Sequence, residues 1–484
     1  MLTFQYRLWF LFCGRTALAC VEAGIGRDAL SDITEILGLP SPVAAVNFRK
    51  HITELVGATT SVTDQMLRDA HVKLHEHYNC QMDEVINVPV TFDGTWSKRG
   101  YTAKYGVGVV ISVDTNSVLD FVILSKFCKK CSSCKLNKNS TEFEEWYSDH
   151  RDSGTCTKNF DLSSPAMEAE AAKIIFSRSV SRYNTRYKFM ISDGDSKAFN
   201  VVRCIYGNEE EHLVEKLDCI GHVGKRMFRA LENVRTTTKG KLADGKYVGG
   251  GSGRLTKAVV TRLQDFYRNA IRQNVTDSKE PKEQEQAVKN MKNAVMAGLY
   301  HSVKQPNDTK RHQYCPESSW CDFKINGSMV DKSYHLDDVF LNLLLPVYER
   351  LSNENLLKRC ISGYTQNQNE SFNSLIWSRC PKHKWKNLNF VCASVHMAVL
   401  TFNHGKSFAR SAVIEMLDLQ PIKSVEAIRK DLKRMKDARR KSTTAQKKIR
   451  KVLRNRELHA ENEKISLTGT TYESGAFGEE HVDS

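Results

Sequence analysis

Two aspartates, Asp93 in VTFDGTW and Asp193 in FMISDGDSKAF, each follow a run of apolar, β-forming residues and each precede a glycine. If the two strands lie side by side, the two carboxylates face one another at the end of the sheet. Acidic groups that close raise each other's pKa unless a divalent cation sits between them, and hard oxygen donors favour Mg²⁺ or Mn²⁺. A two-ion centre for phosphoryl transfer needs one more carboxylate. Glu370, in YTQNQNESFNSLIW on a late helix, is the candidate. An aspartate before glycine at a strand end is also an ordinary turn residue. The order β-β-β-α-β-α-β-α, with acids after strands one and four and on a returning helix, favours the chemical reading.

The cysteines suggest a second kind of chemistry. Cys128-x-x-Cys131-x-x-Cys134, then His150 and Cys156, place five soft or borderline ligands in a polar stretch with too little apolar content to order itself. Tetrahedral Zn²⁺, held by four of the five, would supply the missing folding energy. Cys219 and His222, together with His312, Cys315 and Cys321 in KRHQYCPESSWC, are expected to build a second zinc site from two distant segments. A buried cysteine and a helix-capping histidine would look the same in sequence. Fourteen cysteines in 484 residues, clustered at two-residue gaps, fit metal sites in a reducing compartment better than a disulfide framework.

The chain carries 71 Lys and Arg against 56 Asp and Glu, a net charge of +15. Most of the excess lies between Arg429 and Arg456, where fourteen basic residues accompany two aspartates. The basic residues alternate with Ile, Leu, Val, Met and Ala at helical spacing, so Lys433, Arg434, Arg439, Arg440, Lys447, Lys448, Arg450 and Lys451 are candidate phosphate contacts on a helix, with nuclear import a compatible role. The competing reading is a solvated helix. No aromatic anchor accompanies the charge, and no stretch is long and apolar enough for a membrane span, so a membrane partner is not expected. The apolar patch near the N-terminus contains Arg7 and lacks a basic leader, so a buried or interfacial helix is expected there rather than a signal peptide.

The elements that must position these groups follow from periodicity. Residues 1–85 read as a helical lead-in, interrupted at Pro40 and Pro42. Residues 86–235 read as an α/β core, beginning with VINVPVTFD, AKYGVGVVISV and SVLDFVILSK as an antiparallel meander. The cysteine-rich loop, 127–160, is inserted in it. The glycine- and lysine-rich run 236–253 opens an all-α insertion, 236–360. Residues 361–420 complete the core, and 421–484 form the basic helix and tail. Neither a Ser-His-Asp set nor a GxxxxGK[ST] loop is present, so hydrolase-triad and nucleotide-fuelled chemistries have no support.

Taken in order, VTFDGTW, SSPAMEAEAA, ISDGDSKAF, KLDCIGHVGKRM, YCPESSWC and NQNESFN closely resemble the Mutator-like transposases, over roughly residues 30–475. The resemblance implies a ribonuclease H-like mixed sheet flanked by helices. It also implies a metal-binding triad of Asp93, Asp193 and Glu370, with Cys219-x-x-His222 between the second and third members. Asp195 rivals Asp193, which is preferred because it directly ends the apolar strand whereas Asp195 suits a helix cap. The implied activity is endonuclease and strand transfer on double-stranded terminal repeats of a mobile element, by a nuclear, homo-oligomeric enzyme using Mg²⁺ or Mn²⁺. A silent DNA-binding derivative that keeps the fold is the alternative.

Overall fold

A computed structural model describes residues 14–98, 103–192, 197–278, 280–316, 321, 323–324, 336–421 and 424–442. Three strands form the expected antiparallel meander: β1 (Ile86–Trp96), β2 (Tyr105–Ser112) and β3 (Val118–Ser125). β4 (Thr185–Ser192) lies parallel to β1, with Thr91 beside Ile191, and β5 (Glu215–Asp218) lies parallel to β4. The sheet order is β3-β2-β1-β4-β5. The first and fourth strands are therefore neighbours. Asp93 does not end its strand, because β1 continues to Trp96 paired with β2.

Strand alternation decides what each face carries. Val88, Val90 and Phe92 of β1 face one side and pack with Ala171, Ala172, Ile175 and Phe176. The intervening residues, Asp93 among them, face the other side, where Val107, Val109 and Ile111 of β2 pack against Phe372, Ile376, Val391 and Val395. Among the helices, those used below are α1 (Arg27–Ile36), α2 (Ala45–His77), α3 (Thr141–Asp152), α4 (Ala166–Tyr183), α5 (Ile220–Thr237), α6 (Lys257–Arg272), α7 (Pro281–Ser302), α8 (Val339–Leu351), α9 (Asn367–Arg379), α10 (Leu388–His404), α11 (Lys406–Met416) and α12 (Val425–Ser442). α4 covers the first face, and α2, α9 and α10 cover the second. Gly108 explains the glycines in YGVGVV: a Cβ there would stand 2.4 Å from that of Ala171, so α4 can approach only over a bare backbone.

α1 ends before Pro40, and α2 then runs unbroken for 33 residues. On α2, His71 is fully buried, with Nδ1 3.1 Å from Thr185 Oγ1 and Nε2 3.3 Å from the Leu119 carbonyl. Burial lowers its pKa to about 3 and that of His396 on α10 to about 4. Both are neutral in the folded chain, whereas the unfolded chain protonates them near pH 6.5. Stability should therefore fall as pH drops below 6.5, by up to roughly 1.4 kcal/mol per pH unit for each histidine until its folded pKa is reached. Denaturant titrations at about pH 7 and about pH 5 check this. His71→Gln should flatten the slope, and an unchanged slope would show that His71 does not carry it.

α5 to α8 form a helical body around Val223, Met227, Leu263, Tyr267, Met291, Phe340 and Leu344. α5, expected with the α/β core, thus buries its apolar face in the insertion. The 236–253 loop is anchored rather than loose. A bridge joins Lys241 to Tyr247, and the buried Arg254 pairs with Asp244 and, at 3.3 Å, with Asp337.

At the C-terminal side, Gly405 turns the chain between α10 and α11 with φ +92°. The Asp431 carboxylate on α12 accepts from the backbone N–H groups of Lys406 and Ser407 at 2.9 and 2.8 Å, capping α11 from another helix. No described helix is long and apolar enough to cross a membrane.

Candidate active site and metal centres

The polar residues of NQNESFN fix α9 against the sheet. Gln366, just before the helix, is buried, and its Nε2 donates to the carbonyls of Phe92 at 2.9 Å and Ile191 at 3.4 Å, joining both central strands. Asn373 Nδ2 donates to Asp93 Oδ2 at 2.7 Å, and Trp377 Nε1 donates to Thr95 Oγ1 at 2.7 Å. Residues 366, 370, 373 and 377 recur at helical spacing and share one side of the helix. Glu370 therefore stands on the side that meets β1, one turn ahead of the amide holding Asp93. Its side chain is 59% exposed and pairs with Lys225 Nζ of α5 at 3.3 Å. Asp193 and Asp195 lie outside the described residues, and β4 is described to Ser192.

Around Asp93 several amide groups lack protein partners among the described residues: Gln366 Oε1, both amide atoms of Asn369, and Asn373 Oδ1 are buried without a hydrogen bond. Buried polar atoms are rarely left so. Beside a carboxylate, they suit water or the ligands of an ion. Carboxylate and amide oxygens form a hard donor set, so the residues present fit Mg²⁺ or Mn²⁺. Gln366, Asn369 and Asn373 were not singled out by the sequence reading, although three polar side chains at helical spacing around Glu370 were the available signal. Asp218, at the end of β5, was also passed over. It is buried and pairs with Arg359 at 2.8 Å and Arg226 at 3.7 Å, which marks it as an internal ion pair.

The cysteine loop gathers four of its five candidates. Ligand atoms of Cys128, Cys131, His150 and Cys156 all lie within 4.8 Å of one another, whereas Cys134 is outside the group. Cys128 Sγ is 3.3 Å from His150 Nε2, and the sulfurs of Cys131 and Cys156 are 3.6 Å apart. α3 supplies His150, whose Nδ1 meets Thr155 Oγ1 at 2.9 Å, which turns Nε2 toward the sulfurs. Burial opposes ionisation of Cys128, but hydrogen bonds at Cys131, His150 and Thr157 lower its pKa to about 5. Burial and the neighbouring sulfurs of Cys156 and Cys128 push Cys131 up to about 12. The sulfurs cannot all ionise without a cation among them, and the set fits tetrahedral Zn²⁺.

The second cluster departs from its expected membership. His312, Cys315 and Cys321 come together, but the fourth member is His301, at the end of α7. Cys219 and His222 are not members. The Cys219 sulfur instead accepts from the Gln366 backbone N–H at 3.3 Å, locking the start of α5 to that of α9.

Arg434 of the basic helix donates to the carbonyls of Thr401 at 3.2 Å and Phe402 at 3.3 Å, satisfying the C-terminal end of α10. Expected as a phosphate contact, it caps the end of α10 in this structure. Lys433 lies on the same described helix. The side chains of Arg439 and Arg440, and all of Lys447, Lys448, Arg450 and Lys451, lie outside the described residues.

The family model for Mutator-like transposases matches residues 10–321, which takes in the sheet, the cysteine loop and much of the helical body and stops before α9. No curated protein and no solved structure matches the chain. The match covers more than half of the 484 residues, on a mixed five-stranded sheet flanked by helices, and the chain belongs to the Mutator-like transposase family.

Proposed function

We propose that this chain is a nuclear, metal-dependent DNA transposase, cutting and joining the double-stranded ends of a mobile element through Asp93, Asp193 and Glu370. The observation that carries the reading is the binding of α9 to the two central strands through Gln366, with Asn373 on Asp93. This sets Glu370 on the strand-facing side of its helix. A meander followed by two parallel strands on the far side of β1 also agrees with a ribonuclease H-like core.

Bound Mg²⁺ or Mn²⁺ would supply charge stabilisation at the phosphodiester. The protein's own part is to orient Asp93 through Asn373 and to steady Glu370 through Lys225. A recess of about 360 Å³ lined by Arg226, Arg229 and Arg350 suits backbone phosphates beside α5. The basic residues beyond Lys433 add non-specific affinity, and Zn²⁺ in the Cys128 cluster orders the loop. Paired element ends would call for a homo-oligomer.

Incubating the protein with duplex DNA bearing the terminal repeats and Mg²⁺ or Mn²⁺ tests the reading. Metal-dependent nicking at the element boundary is expected, abolished in Glu370→Gln with DNA binding retained. Binding by the wild type without cleavage in either metal would overturn the catalytic reading and leave a silent DNA-binding derivative.

A further inference from the structure

The cluster at the end of α7 is not used by the site above. His301 Nδ1 and His312 Nδ1 are 3.2 Å apart, Cys315 Sγ is 3.6 Å from the first and 3.7 Å from the second, and Cys321 Sγ is 3.3 Å from His312 Nδ1. A tetrahedron with metal–sulfur bonds of about 2.3 Å and metal–nitrogen bonds of about 2.0–2.1 Å has edges of roughly 3.3 Å between nitrogens and 3.6 Å between nitrogen and sulfur. The four observed separations lie within about 0.3 Å of those edges, and all four ligand atoms lie within 4.8 Å of one another.

Hydrogen bonding cannot account for the convergence. An imidazole nitrogen carries either one proton or one lone pair, yet His312 Nδ1 meets three partners. His312 and Cys321 are fully buried and Cys315 nearly so, with Phe323 stacked on His312 at 4.6 Å between ring centres. Two thiolates and two neutral imidazoles around a divalent ion make a site of zero net charge, which such burial tolerates.

We propose that His301, His312, Cys315 and Cys321 bind a second Zn²⁺ that staples the end of α7 to the segment leading back toward α8. Immediately after α7, Val303 bridges to Leu336, with Lys304 N–H donating to the Leu336 carbonyl at 2.8 Å and Leu336 N–H to the Ser302 carbonyl at 2.9 Å. The next residue, Asp337, pairs with Arg254. The ion therefore closes the junction where the chain leaves the helical body and re-enters it, and its role is structural, since all four positions are taken by protein.

Metal analysis of the full chain purified without chelator is expected to give two zinc ions per molecule. His301→Ala and Cys315→Ser should each remove one, His301→Cys should retain both, and Cys219→Ser and His222→Ala should retain both. Should these variants misfold, cobalt substitution of a Cys131→Ser, Cys156→Ser chain gives a second readout: the ligand-field bands of a tetrahedral Cys₂His₂ centre, lost on adding His301→Ala. One zinc per wild-type molecule, lost entirely with Cys131→Ser, would overturn the proposal, as would two zincs unaffected by His301→Ala. Zinc content does not depend on Asp93 or Glu370, so this inference and the catalytic one fail separately.

Discussion

Asp93→Asn is expected, on the proposed function, to lower metal-dependent DNA cleavage about a thousandfold or more while leaving DNA affinity intact, because it removes a charge that would help hold ions worth several kcal/mol of transition-state stabilisation. The neighbouring amide gives a graded companion. Asn373→Ala frees Asp93 Oδ2 from its 2.7 Å bond without removing the carboxylate. Losing a partner that orients a metal ligand commonly costs about 10- to 100-fold in affinity or activity. The Asn373→Ala enzyme should therefore need more metal, and excess Mn²⁺ should restore much of its rate. It should restore nothing in Asp93→Asn. Asn373→Asp would bring a second carboxylate beside the first, raise the pair's pKa and move the activity profile to higher pH. Titrating cleavage against metal and pH separates these cases, and an Asn373→Ala enzyme with wild-type metal demand would remove the residue from any positioning role.

The second large effect concerns stability. Asp120 of β3 is 1% exposed and is gripped by Arg178 of α4 through two bonds of 2.7 and 2.6 Å, with a third from Arg178 to the Phe121 carbonyl at 2.8 Å. Burial raises the Asp120 pKa even against the pull of this guanidinium. Arg178→Ala should cost about 3–5 kcal/mol at neutral pH by leaving the charge unpaired. The sign with pH is opposite to that for His71: a carboxyl whose folded pKa is raised is best tolerated while protonated. The deficit of Arg178→Ala should therefore shrink below the ordinary aspartate range and grow as pH rises through it. Adding Asp120→Asn should recover much of the loss. Urea unfolding of the wild type and both variants across that range checks the argument, and equal losses at all pH would show that packing, not charge, was removed.

The strands were legible because apolar, β-forming runs of about eight residues between turn formers have one good solution, whereas the neighbouring of β1 and β4 entered only as the condition for the two acids to meet. Long-range polar contacts were not legible. Gln366 and Asn373 reach a carbonyl and a carboxylate more than 270 positions earlier in the chain, and local periodicity carries no such information. Likewise Cys219-x-x-His222 has ligand-like spacing, yet the Cys219 sulfur accepts from the Gln366 backbone, whereas His301 ends an amphipathic helix with no nearby ligand spacing to mark it. In the cysteine loop, two-residue gaps singled out Cys128 and Cys131 but could not exclude Cys134 from the cluster. Arg434 reads as one more charge of a basic helix, until the Thr401 and Phe402 carbonyls near the end of α10 give it partners.

The 280-residue separation between Asp93 and Asn373 also orders events during synthesis. Bringing together points so distant carries the loop-closure entropy of everything between, unless that chain has already condensed into its own body. α5 to α8 do so around a separate apolar cluster, so the interval is spanned by a folded unit. A nascent chain that has emerged through β5 already holds all five strands, but neither Gln366 to tie β1 to β4 nor Asn373 to orient Asp93. The geometry of the carboxylate site is thus among the last features to be acquired, after the helical body has closed.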